Sequence, residues 1–185
     1  MARAGLTADT VVAAGAQLAD ELGLDGVTVS GLAGRLGVRP PSLYAHVEGL
    51  EDLRTRIAAL GAQQLAERLQ AAAAGRAGVD ALGAVADAYR AYARAHPGAY
   101  AALQLAPARS EAAAEAAARV LAVVLAVLAG YGLEDDPALH AARAIRSALH
   151  GFVLLETGQG FGLALSLDES FAALVAMLDR GLRQA

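Results

Sequence analysis

The 185-residue chain has no cysteine, no tryptophan and no lysine. Without cysteine, disulfides and thiolate metal sites are excluded. All 15 basic residues are arginine, so the phosphate-binding lysine of a P-loop is absent too. Long apolar runs are also missing. The longest uncharged one, Val120–Leu133, covers 14 residues between Arg119 and Glu134, where a bilayer span needs about 20. A mean hydropathy of +0.41 therefore points to a large apolar core rather than to a membrane. Met1–Asp20 carries no apolar block followed by a cleavage site, so no signal peptide is expected and the protein is expected in the cytoplasm. The four histidines, at 46, 96, 140 and 150, form no i, i+4 pair; no metal and no cofactor is expected. Gly158–Gly162 (GQGFG) follows a helical pattern and not a strand, which makes it a loop rather than a nucleotide cradle. Serine, histidine and aspartate occur without a nucleophile elbow, and no catalytic constellation appears.

What is present is helix. Aromatics are only 4%, alanine and leucine dominate, and no alternating strand pattern occurs, so the fold is expected to be all-α with about nine helices. Thr7 caps a helix carrying Val11, Ala14, Leu18 and Leu22, ended by Gly23. Thr28 caps a second through Leu36, and Pro40-Pro41 open a third that runs to about His46. From Glu48-Gly49 a long fourth helix follows with Leu50, Leu53, Ile57, Leu60, Leu65 and Leu69, and Ala71–Gly78 reads as a linker. A fifth carries Leu82, Val85, Tyr89 and Tyr92 up to His96-Pro97-Gly98; a short one reaches Leu105, closed by Pro107. Ser110 caps the next, whose Val120–Leu128 is apolar all round and so expected to be central and buried. The last two carry Leu139, Ala142, Ile145, Leu149 and Phe152, then, from Ser166, Phe171, Leu174, Leu178 and Leu182. Their apolar faces are too extensive for one small bundle, which predicts a four-helix contact with a second copy.

The most informative stretch is Thr28–Val47, TVSGLAGRLGVRPPSLYAHV. Ala33 is small where two helices cross, Gly37 stands where the chain turns with positive φ, and Leu43 is apolar where the next helix packs back. These offsets make a helix-turn-helix, a unit that presents its second helix to the DNA major groove. Thr28 and Ser30 lie at a helix N-terminus suited to a phosphate. Arg39, Ser42, Tyr44 and His46 face outward with Leu43 and Val47 inward, and Arg39 is the candidate for bidentate guanine contact. Arg35 flanks the turn. Charge runs the other way: residues 1–56 hold five arginines (3, 35, 39, 54, 56) and seven acids (9, 20, 21, 25, 48, 51, 52), in a chain of net charge −4. A DNA reader is usually basic on its binding face, so affinity rests on where those arginines sit.

With these residues in place, GLAGRLGVRPPSLYAHV resembles the helix-turn-helix of the TetR family of bacterial transcriptional regulators, most specifically over residues 7–56. His96-Pro97-Gly98-Ala99-Tyr100 and Ala148-Leu149-His150-Gly151-Phe152 look like the subgroup named for a Trp-His-Gly motif, here without its tryptophan. The resemblance implies a DNA-binding head at 1–47 and an effector-binding, dimerising body at 48–185. It further implies a homodimer on a palindromic operator, usually a repressor, released when a small molecule enters the body. The matching residues imply that Tyr44 and His46 approach the DNA backbone. Where the family often has a phosphate-touching lysine, this chain has Leu50, then Glu51 and Asp52, leaving Arg54 or Arg35 to substitute.

Polar residues interrupting apolar stripes in the body are Gln64, Tyr89, Tyr92, His96, Gln104 and Glu156. They are the candidate contacts for a small lipophilic effector, although each also suits a structural role. A helical ligand-binding or dimeric interaction protein whose acidic head has lost DNA stays open beside this reading; a helical-bundle enzyme ranks below both.

Overall fold

The computed structural model describes residues 5–105 and 111–184. Among these are eight α-helices and no strand. They are α1 Ala8–Leu22, α2 Val29–Leu36, α3 Leu50–Ala73, α4 Gly78–Ala95, α5 Pro97–Leu105, α6 Glu111–Ala129, α7 Asp135–Thr157 and α8 Leu167–Leu182. Short 3-10 turns occupy Leu24–Gly26 and Pro40–Leu43. The predicted closing Pro107 and capping Ser110 lie outside the described residues.

Local chemistry sets the helix ends. The Thr7 hydroxyl accepts from Thr10 N, and Thr10 returns the bond to Thr7 N, closing a capping box on α1. Thr28 Oγ1 accepts from Gly31 N at 3.0 Å and starts α2. Gly37 ends it in the left-handed conformation, φ 67°, as a turn of this kind requires. Ser166 caps α8 through Glu169 N. α3 runs on to Ala73, so the predicted alanine-rich linker contracts to the few residues before Gly78.

The chain forms two units. The first comprises Met1–Gln64 and Ala95–Ala117, the second Leu65–Arg94 and Ala118–Ala185. The core of the first gathers Val11, Leu18, Leu32, Ala33, Leu43, Val47, Leu53 and Ile57. It also takes in Ala99 and Ala102 of α5, because that helix packs on α1. The first unit thus takes in residues on both sides of 47/48 together with α5.

Several expectations fail. The third helix is not a full α-helix but a 3-10 turn over Pro40–Leu43 that coils on to Val47. Prolines 40 and 41 supply no N–H, and the bonds that form are Ser42 N to Arg39 O, His46 N to Leu43 O and Val47 N to Leu43 O. Nor is Val120–Leu128 central: only Val127 and Leu128 are buried, and Leu121 is exposed. α6 reaches the length and mean hydropathy of a membrane crossing, yet Glu111, Glu115 and Arg119 charge its first half. Leu139, expected on the inner face of α7, is exposed, while Ala138, Ala142, Ile145, Leu149 and Phe152 are buried.

Candidate nucleic-acid interface

The segment after Gly37 is anchored from inside. Leu43 is fully buried and Val47 nearly so, which fixes the outward direction of their neighbours. Thr28, Ser30, Arg35, Arg39, Ser42 and Tyr44 are exposed, and His46 is half-buried. Tyr44 stands 58% exposed. The Arg39 guanidinium makes no ion pair with a described residue. An extended Arg39 (φ −82°, ψ 145°) leads straight into the prolines, so its side chain leaves from the start of the coil.

The other described arginines of the head are engaged. Arg35, in the last turn of α2, grips both oxygens of Glu21 on α1, each at 2.7 Å. That hydrogen bonding holds Glu21 below the usual carboxylate range and raises Arg35. Arg54 lies 3.1 Å from Glu51 and 3.5 Å from Asp25. Arg56 Nε donates to Asp52 Oδ1 at 2.9 Å, while Asp52 Oδ2 accepts from Glu48 N at 2.9 Å. The two substitutes expected for the missing lysine, Arg35 and Arg54, are thus both bound to carboxylates. Glu21 and Asp25 lie on other elements, which spacing along the chain does not reveal, whereas Glu51 sits one turn before Arg54 on α3.

The six body candidates do not share one unit. Gln64, His96 and Gln104 belong to the first; Tyr89, Tyr92 and Glu156 to the second. His96 Nδ1 lies 3.0 Å from Asp20 Oδ2, and the other oxygen of Asp20 accepts from Gly98 N and Ala99 N at 2.9 and 3.0 Å. His96 therefore serves the junction of α1 and α5. Tyr89 and Tyr92 are buried on α4, with the Arg68 guanidinium 5.0 Å from the Tyr92 ring centre. Glu156 is almost fully buried and neutralised: Arg90 Nε donates to Oε2 at 2.8 Å and Nη2 to Oε1 at 2.5 Å. Arg90 also donates to Asp168 at 2.8 Å and lies over Phe171 and Phe152, 4.8 and 5.5 Å from the ring centres. The sequence reading missed Arg90; its signal was a lone cation on the apolar stripe of Leu82, Val85 and Tyr89.

Comparison with known proteins places this arrangement. A family model described as tetracycline repressor-like, C-terminal domain, matches residues 82–178, more than half of the chain. An HTH-type transcriptional regulator of Mycobacterium tuberculosis is 38% identical over 183 residues, covering 98% of this chain and 84% of that one. The regulator YobS of Bacillus subtilis is 34% identical, covering 97% and 94%. Among solved structures, a TetR variant from Acinetobacter baumannii in complex with minocycline superposes with a TM-score of 0.74 at 23% identity, covering 97% of this chain and 98% of that one.

Proposed function

The chain belongs to the TetR family of helix-turn-helix transcriptional regulators, and from that premise we propose that it is a cytoplasmic repressor, a homodimer on a palindromic operator that a small lipophilic effector releases. As a member of that family it is a DNA-binding transcription factor and not an enzyme. The observation that carries the finer reading is the Arg39–Val47 coil. Its inner residues Leu43 and Val47 are buried, while Arg39 and Tyr44 stand outward in solvent. Arg39 reads a guanine edge, Ser42 assists it, and Tyr44, His46, Thr28 and Ser30 hold the backbone.

Residues 48–185 carry effector binding and dimerisation. Tyr89 and Tyr92, buried on α4, are the polar groups an apolar effector meets. Glu156 and His96 are occupied by Arg90 and Asp20 and drop to structural roles. The minocycline held by the A. baumannii protein supports a drug-sized ligand class. His150-Gly151 and the His96–Tyr100 run support placement in the Trp-His-Gly subgroup.

The test is retardation of the DNA upstream of the protein's own gene at moderate salt, with and without lipophilic compounds. Arg39→Ala is expected to relax base preference and to cost about 1–3 kcal/mol on the operator. Unchanged affinity and unchanged specificity would remove Arg39 from the interface.

A further inference from the structure

Resting on the DNA-binding reading above, we propose that the head screens its own arginines, and that Glu21 is the residue keeping Arg35 off the phosphates and non-specific affinity low. A carboxylate and a phosphate present the same fork to a guanidinium. Arg35 gives both its terminal nitrogens to Glu21 at 2.7 Å, with Gln17 Oε1 a further 3.5 Å from Nη2. It holds one fork or the other, not both. Should it swing to DNA, the Glu21 charge stays behind beside a polyanion, and the net charge neutralised is unaltered. Arg54, between Glu51 and Asp25, and Arg56, on Asp52, follow the same rule.

Salt dependence counts the phosphates a protein neutralises, with a slope of about −0.9 per contact. Arg39 is the one cation of the described head without a carboxylate partner. With Arg39 placed at a base edge and the other described arginines held by carboxylates, each head contributes a shallow slope of at most about one unit, and sequence preference comes from base-edge contacts set against a weak electrostatic background. This favours specificity, because non-specific sites compete through charge alone.

The experiment follows fluorescence anisotropy across a salt series with two duplexes, the upstream DNA and a random sequence. All proteins are full-length and carry Arg3→Ala, since Arg3 lies outside the described residues. Glu21→Gln is expected to steepen the slope so that the affinity ratio between 50 and 200 mM salt grows about 3.5-fold per head, with tighter binding to the random duplex. Arg35→Ala alone should leave the wild-type slope in place, and Glu21→Gln/Arg35→Ala should restore it. Glu21→Ala provides a second route to the same release, with helix content checked by circular dichroism. The proposal is overturned if Arg35→Ala alone flattens the slope, or if both Glu21 variants leave slope and random-duplex affinity unchanged. Binding by the Glu21 variants where the wild type is silent supports it. No binding by any of them overturns the DNA-binding reading itself.

Discussion

Gly98 occupies a point where no side chain fits. A Cβ there would run into the backbone of Ala19 and Asp20, because the start of α5 is drawn onto α1 by the Asp20 carboxylate, which accepts from Gly98 N and Ala99 N. Gly98→Ala is expected to destabilise the protein by about 1–3 kcal/mol or more through forced backbone displacement. Gly83 lies inside α4, where a Cβ meets nothing within 4 Å. Gly83→Ala should therefore stabilise by about 0.4–1 kcal/mol through reduced chain entropy. Thermal melting of the pair checks both signs, and equal effects would show that the α1–α5 contact is not tight. At this scale the sequence was legible wherever cause and effect lie within one turn. Thr7, Thr28 and Gly37 act on groups three or four residues away. Asp20 was not legible, since its partners are 76 to 79 residues downstream.

Between elements, spacing picks out most buried residues of a helix with one apolar stripe, although Leu22 of α1 and Leu139 of α7 are exposed, and it fails where a helix is apolar all round. The inner residues of α7 announce themselves by spacing, apart from Leu139. α6 is apolar all round over Val120–Leu128, so periodicity gives it no direction, and its position depends on neighbours the sequence does not name. The 3-10 form of Pro40–Leu43 follows from two consecutive missing N–H groups, a signal visible in the chain but weighed there only as a helix start. A polar link also runs from α4 to α7 and α8: Arg90 ties Glu156 to Asp168 and sits against Phe152 and Phe171. Glu156→Gln leaves the Arg90 charge short of its nearly buried partner and is expected to cost roughly 3–5 kcal/mol, with Asp168 limiting the loss. Arg90→Met/Glu156→Leu should recover most of it. The hydrogen bonds from Arg90 hold Glu156 below the ordinary glutamate value of 4.5. The folded form thus binds its proton less readily than the unfolded chain, so this stabilisation is complete above about pH 4.5 and falls away as pH drops through the folded value. Urea unfolding at pH 7 and at successively lower pH should show the acid loss in the wild type and a flatter profile in Glu156→Gln. Parallel profiles would remove the ion pair from the account.

The whole molecule leaves apolar surface that one copy does not cover. On α7, His140, Ala144, Ser147 and Leu154 are exposed at helical spacing, and a Cβ on Gly151 between them meets nothing within 4 Å. On α8, Ala172, Ala173, Ala176 and Met177 are exposed, and the loop joining the two helices holds Leu163 and Leu165 at 77% and 70% exposure. Small residues let helix axes approach closely, and the larger ones supply the area that drives association. An isologous contact through α7 and α8 would cover this face in both copies at once. It would also join two heads in one molecule, as reading two half-sites about 34–36 Å apart requires. Light scattering should therefore give the wild type twice the mass of the 18.7 kDa chain. Leu154→Glu/Met177→Glu puts four like charges into that contact and should yield a monomer with its helix content intact. Because the second head then no longer binds as part of one molecule, operator affinity should fall by roughly 10²–10⁴-fold, while the weak binding of a single half-site persists. A variant that stays dimeric would move the interface elsewhere. A monomer that holds the full operator as tightly as the wild type would mean that one head suffices, and that the exposed face of α7 and α8 has another use.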